Sequence, residues 1–307
     1  MATSPSTLAK ATVTSGERAI QRVGSATNVS PEGRAFNLIN VARSVLSGAD
    51  IEQITQDQSL YKVEPTYALR NSYGDNLLWD FWIGSFVEEE MSKARGGPNN
   101  RLPTKDQLCF ADRATQLAVK LLKEAPASPT KLQICFVASL QFKRIGNTQG
   151  AQGCDEFIQQ SVKNCEDEMR ASPEAIIEAV SVLNSMAYRL APVPIPSGTL
   201  ASIERKDLGQ SITEDAARKS EELRLRAMKL ADRLPSDNHV RRMVHRDLVF
   251  FYRHFDRQNL AEEQKQILFE LVGVSDDKIL FPVSQFCGRA LWWTAATGQI
   301  AALCGMG

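Results

Sequence analysis

Apolar residues recur along most of the chain at spacings of three and four, which is the repeat of an α-helix. Residues 31–46 show this pattern well, because their apolar members share one helical face before Gly48 ends the segment. These members are Phe36, Ile39, Val41, Val45 and Leu46. No segment shows a convincing two-residue alternation, which is the pattern of a half-buried strand. We therefore predict an all-α fold of about nine to ten helices.

Helix starts recur as a serine followed by a proline, since serine caps the first turn and proline suits the first helical position. The pairs are Ser30 with Pro31, Ser128 with Pro129, and Ser172 with Pro173. Two further starts fit a capping box, namely Thr104 with Gln107 and Ser211 with Glu214. Together with the apolar repeat, these signals predict helices over 31–46, 76–94, 105–124, 130–144, 154–170, 173–190, 212–234, from Ser236 or Asp237 onward, 260–272 and 283–303.

Three prolines at alternate positions, beginning with Pro192, break the helical pattern. We interpret residues 192–211 as a linker that contains these prolines. It would join an N-terminal helical lobe, residues 31–191, to a C-terminal helical lobe, residues 212–307. The other interpretation is that this stretch crosses one face of a single domain.

Residues 1–30 are rich in alanine, serine and threonine, and Glu17 is their only acidic residue. They lack the continuous apolar core of a secretory signal. We predict a flexible N-terminal arm, while an organelle transit peptide is the less favoured interpretation of the same composition. The expected location is therefore cytoplasmic.

The composition is that of a folded protein without a global charge. The chain has 307 residues, of which 43% are hydrophobic, enough to bury a sizeable core. Lys and Arg total 36, as do Asp and Glu, so the formal net charge is zero. Any binding of a polyanion must therefore come from a local patch of positive charge.

Four arginines fall on one side of one predicted helix, and we call Arg242, Arg246, Arg253 and Arg257 the arginine row. At about 100° per residue, the last three lie roughly 40°, 20° and 60° round from Arg242. The rest of this helix is largely apolar, with Val240, Met243, Val244, Leu248, Phe250, Phe251 and Phe255. Because guanidinium groups bind phosphate in a bidentate way, the arginine row predicts contact with a phosphate backbone.

The other interpretation of the arginine row is a solvated face neutralised by salt bridges. Asp256 lies beside the row, and the charged helix over 212–234 could place a carboxylate against each arginine. Asp247, by its helical angle, points towards the apolar side, where a carboxylate needs a partner. We expect Arg241 or a cation from another helix to form a structural salt bridge with Asp247.

The sequence contains no complete catalytic or metal-binding motif. The tetrapeptide His-Arg-Asp-Leu at 245–248 matches a protein-kinase catalytic loop, but Tyr252 stands where the metal-binding asparagine is required, and no DFG or Gly-rich loop accompanies it. The glycine-rich run at 146–153 lacks the Lys-Ser/Thr ending of a phosphate loop and predicts a loop between helices. The three histidines, His239, His245 and His254, are spaced by six and nine residues, which does not suit a metal site. We expect them to lie on the surface. We therefore predict a protein that is not an enzyme and has no cofactor.

Tryptophans mark two candidate docking surfaces for a partner protein. Trp79 and Trp82 lie in a predicted helix that is apolar on all sides, and Trp292 and Trp293 lie in the last predicted helix. That last helix is interrupted by Arg289 and by glycines, so we do not expect it to span a membrane.

These features suit two classes of protein. A loose arm, helical lobes, a cationic helix and an apolar C-terminal helix are what a viral nucleocapsid or filament coat protein requires. This hypothesis predicts binding of single-stranded RNA, self-association through the N-terminal arm or the C-terminal helix, and location in a virion. The alternative is a helical interaction module, such as an adaptor or a microbial effector, that docks through its tryptophans.

Overall fold

The computed structural model describes residues 16–51, 53, 103–128, 130–191, 193 and 212–273. Every regular element in this part of the chain is a helix. The all-α fold predicted from the apolar repeat is therefore confirmed. After a helical segment over 16–24, the helices are α1 (Pro31–Leu46), α2 (Lys105–Glu124), α3 (Lys131–Ile145), α4 (Thr148–Asp167), α5 (Pro173–Leu190), α6 (Glu214–Ala231), α7 (His239–His254) and α8 (Gln258–Val272).

The bounds of α1, α2 and α5 are those predicted from the sequence. Their first turns are closed by Ser30, Thr104 and Ser172, whose hydroxyls accept hydrogen bonds from backbone N–H groups. Thr104 forms the full capping box, because its own N–H also donates to Gln107 Oε1 at 2.8 Å. The helices predicted over 76–94 and 283–303 lie outside the described residues.

Three other helix starts were misplaced by a few residues. Thr213, not Ser211, caps α6, since its Oγ1 accepts from the Ala216 N–H at 3.2 Å. Asn238, rather than Ser236 or Asp237, caps α7. The start of α3 lies after Thr130, although Ser128 Oγ still accepts from the Lys131 N–H at 3.2 Å. In each case several capping residues stand close together, and the pattern alone does not choose between them.

The predicted loop over 146–153 is mostly the first turns of α4. Gly146, at φ 80°, ends α3, and Asn147 Oδ1 accepts from the Gly150 N–H at 2.8 Å to begin α4. Gly150 is required by packing, because a Cβ there would lie 2.9 Å from the Phe142 ring. These glycines therefore bring two helices close together and do not form an extended loop.

The described chain divides into two compact units, one up to Ser161 and the other from Val162, so that the boundary falls within α4. The predicted linker over 192–211 is described at Val193 alone, so a division of lobes at that linker stays a prediction. Residues 16–24 were assigned to the flexible arm, but they are helical, with Ala19 and Val23 buried. This corrects the arm for its described part, because these apolar side chains share one face and pack into the unit.

In the first unit, α1 packs on α2 and α3, and α2 also packs on α3. Leu38, Ile39, Leu122, Leu132 and Leu140 are among its largest fully buried side chains. Amphipathic helices that bury such faces against one another account for the cohesion of this unit.

In the second unit, α6 packs on α5 and α7, and α7 also packs on α8. The C-terminus of α4 is joined to the turn after α6 by Arg233, whose guanidinium donates to the carbonyl oxygens of Cys165 and Glu168. These contacts satisfy carbonyl groups that a helix end leaves without partners. α7, which carries most of the arginine row, packs between α6 and α8.

Candidate nucleic-acid interface

The arginine row does not lie on a single helix. α7 ends at His254, and Asp256 adopts a left-handed conformation at φ 57°. The Arg257 N–H donates to the Tyr252 carbonyl at 2.8 Å, and the Asp256 N–H donates to the Arg253 carbonyl at 3.2 Å. This is the Schellman pattern that closes a helix, here with aspartate at the position where glycine is usual. Arg257 is therefore the N-cap residue of α8, and its predicted place on α7 is wrong.

The row is also interrupted within α7. Residues 248–252 are all buried, although Val249 lies only about 20° round the helix from Arg242. The reason is that α7 packs on both α6 and α8, so the middle of the helix is covered on more than one side. The row thus consists of two pairs, which we call the N-terminal pair (Arg242 and Arg246) and the C-terminal pair (Arg253 and Arg257). Arg246 and Arg253 are about 10 Å apart along the helix axis.

The N-terminal pair is engaged by α7 and by the turn that precedes it. Arg242 Nη2 donates to the carbonyl oxygen of Asp237 at 3.1 Å. Arg246 Nη2 lies 3.4 Å from Asp247 Oδ1, a long contact, and its Nε is buried with no partner among the described residues. The side chain of Arg246 is about a quarter exposed, at 23%. This pair is therefore partly neutralised but retains N–H groups that a further acceptor could use.

The two arginines of the C-terminal pair have different surroundings. Arg257 Nη1 donates to Glu221 Oε2 of α6 at 2.6 Å, and the Arg257 side chain is 45% exposed. The expectation that the charged helix supplies a neutralising carboxylate is confirmed for this arginine. The half-buried Arg253 has no hydrogen bond or ion pair from its guanidinium to any residue that the structure describes. Arg253 is thus the member of the row whose charge is least compensated.

Buried charges lie behind the row, between α6 and α7. Arg224 is 4% exposed, and its guanidinium lies 5.0 Å from the centre of the Phe251 ring. Burial raises the pKa of the Asp247 carboxyl, and the nearby charges of Arg246 and Arg224 oppose that rise. Burial likewise lowers the pKa of Arg224, while Asp247 opposes the change. The salt bridge expected with Arg241 or with a cation from another helix is not formed, because Asp247 pairs with Arg246 of its own helix and Arg241 binds Asp232 at 3.1 Å. Arg224 acts on Asp247 only through its nearby charge.

His245, predicted to lie on the surface, is 1% exposed. Its Nδ1 lies 2.8 Å from Gln264 Oε1 of α8, and its Nε2 lies 3.2 Å from Asp232 Oδ1. The ring therefore joins the end of α6, α7 and α8, which explains why a polar side chain is tolerated there. Sequence spacing could not reveal this role, because both partners lie on other elements.

Glu221 also lies close enough to Tyr252 to change its pKa, a proximity that no sequence pattern indicates. Burial, together with the charge of Glu221 and its hydrogen bond, raises the pKa of Tyr252 to about 12. Glu221 therefore binds Arg257 and also acts on Tyr252 at the end of α7.

The two docking surfaces predicted from tryptophans are not part of the described structure. Trp79, Trp82, Trp292 and Trp293 all lie outside the described residues. Within the described ranges, no group of three or more His, Cys, Asp or Glu side chains is placed to hold a metal ion. None of the described helices is long and apolar enough to cross a bilayer.

The described part of the chain is thus all-α, with arginines at the end of a helix that packs between two others. Compared with protein-family models, with curated proteins and with solved structures, the chain has no match.

Proposed function

We propose that this chain is a non-enzymatic helical protein that binds single-stranded RNA and self-assembles, as a viral nucleocapsid or coat protein does. The observation that carries the proposal is Arg253, a cation without a compensating partner among the described residues. Arg257 and the N-terminal pair extend the positive charge on both sides of it. Such charge on a chain of zero net charge favours a localised polyanion contact.

The start of α8 adds to this positive region. Its N-cap, Arg257, supplies no side-chain hydrogen bond to the first turn, and residues 256–259 are exposed. The free N–H groups of a helix start and its dipole both favour a phosphate. Asp256 in the same turn opposes this effect with its own negative charge, so the arginines must supply most of the attraction.

Two of the arginines must exchange a partner when a phosphate binds. Arg257 would leave Glu221, and Arg246 would weaken its long contact with Asp247. Because both side chains are partly exposed, this exchange requires little new desolvation. Two to four phosphate contacts per subunit correspond to a slope of log affinity against log salt of about −1.4 to −2.8 for a single strand.

Self-assembly enters the proposal through two segments, the N-terminal arm and the C-terminal helix. Most of the arm and all of that helix lie outside the described residues, so the proposal rests here on the composition of the sequence. The expected location is the cytoplasm or the virion.

The proposal is tested with Arg253→Glu and with Arg218→Glu, a matched charge reversal at an exposed arginine of α6 that pairs with Asp215. We expect Arg253→Glu to weaken binding of a fluorescent single-stranded RNA by at least about tenfold, and Arg218→Glu to change it little. Fluorescence anisotropy across a salt series measures both affinity and slope, and size-exclusion chromatography with the 260/280 nm absorbance ratio reports assembly and bound RNA. A monomer free of nucleic acid at low salt would overturn the proposal, as would equal affinities of the two variants.

A further inference from the structure

Aromatic rings run from the core of the second unit to its surface at the end of α7. Phe251 is buried, and its ring centre lies 4.8 Å from that of Phe255. The ring of Phe255 in turn lies 5.0 Å from that of His254, at an angle of 86°. Phe255 is half-buried, and His254 is exposed. The buried end of this aromatic stack holds the outer rings in place.

His254 stands directly beside the least compensated cation of the row. It follows Arg253 in the chain, and Arg257 begins the next helix three residues later. The His254 ring makes no hydrogen bond to another described residue, and its contact with Phe255 leaves the rest of the exposed ring available to a ligand. An exposed ring between two cations is the arrangement that proteins use to bind a base and its adjoining phosphates together.

We infer that an unpaired RNA base stacks on the His254 ring while Arg253 binds an adjoining phosphate. This inference rests on the proposed RNA binding and makes it specific, because only a single strand can offer an unstacked base. In an RNA duplex the bases remain paired and stacked, and a protein contacts chiefly phosphates and 2′-hydroxyls. The Phe255 ring meets the His254 ring edge to face, which restricts the orientations open to His254.

The experiment compares three labelled probes on the full chain by fluorescence anisotropy. They are a single-stranded RNA oligonucleotide, an abasic ribose-phosphate strand of the same length, and an RNA duplex. His254→Ala is compared with Gln258→Ala, a control at an exposed, uncharged position in the same turn. Circular dichroism melting verifies that both variants fold, which the exposure of both residues favours.

We expect His254→Ala to weaken binding of the single strand by at least about fivefold and to leave the abasic strand and the duplex unchanged. His254→Tyr, which keeps an aromatic ring, should retain most of the affinity. Equal losses on the single strand and the abasic strand, or no loss on either, would overturn the base contact.

Arg253→Glu separates this inference from the proposed function. If Arg253→Glu weakens both the single strand and the abasic strand while His254→Ala weakens neither, RNA binding stands and the base contact is wrong. If Arg253→Glu weakens none of the probes, the proposed function itself is wrong.

Discussion

The core formed by α1, α2 and α3 and the contact between α6 and α7 are built from different chemistry. The first is centred on large apolar side chains such as Leu38, with a neutral hydrogen bond from Gln141 to Thr115 at 2.8 Å, although α1 also buries Glu32 and Arg43. The second places the charged Arg224 beside the Phe251 ring and buries the Asp247 carboxyl. Apolar burial stabilises a fold in proportion to the area removed from water, whereas buried charges must first recover the cost of desolvation. The raised pKa of Asp247 indicates that this cost is not fully recovered.

This difference indicates why the charged contact is present at all. Asp247 contacts Arg246 of the N-terminal pair, and Glu221 contacts Arg257 of the C-terminal pair. The carboxylates between α6 and α7 therefore orient arginines on both sides of the buried middle of α7. We therefore expect the charged contact to position these cations while adding little stability.

The largest expected effect lies in the apolar core. Leu38→Ala should lower the free energy of unfolding by about 2–5 kcal/mol, because Leu38 is fully buried and its removal leaves a cavity. Urea denaturation followed by circular dichroism measures the change. A loss below 1 kcal/mol would mean that the first unit does not depend on apolar packing at this position.

The opposite sign is expected when the charged contact is made apolar. Changing Arg224→Met and Asp247→Leu together should leave stability unchanged or raise it by about 1–4 kcal/mol, since the desolvation cost of both charges disappears. Arg224→Met alone is the control, and it should be less stable than the double variant because Asp247 stays buried with one cation fewer. If the double variant is less stable than the wild type, the charged contact is stabilising, and the comparison drawn above fails.

The smallest effect is a dependence on pH. Because the pKa of Asp247 is higher in the folded chain than in the unfolded chain, folding takes up a proton between the two values. The stability of the wild type should therefore increase, relative to Asp247→Asn, as the pH falls from neutral through the elevated pKa. Urea midpoints of both proteins across this pH series measure the difference. Parallel curves would show that Asp247 titrates normally.

Much of the fold could be predicted because its signals are local. The Ser-Pro starts at Ser30 and Ser172 and the capping box at Thr104 placed three helices correctly, since a cap acts within one turn. The site was predicted less well because its geometry depends on neighbours. Arg257 was wrongly placed on α7 because Asp256 adopts the left-handed turn conformation. A glycine at that position would have indicated the end of the helix.

Burial around α7 was missed for a related reason. Helical angles assume one covered face, whereas α7 packs on two helices and buries Val249 and His245 as well. Arg224 lies in a helix whose mixed charges predict a solvated face, and its burial depends on a partner helix that periodicity does not identify. Whether a carboxylate neutralises each arginine likewise depends on tertiary packing, which the spacing of the row does not predict.

The guanidinium of Arg233 has a consequence for the order of folding. Its hydrogen bond to the Cys165 carbonyl joins residues 68 positions apart, whereas α7 and α8 are joined by a single tight turn. Closing a long loop carries an entropic cost that short-range contacts avoid, and such contacts slow folding. We therefore expect α7 and α8, with the turn that joins them, to pack together before the end of α4 attaches to the rest of the second unit.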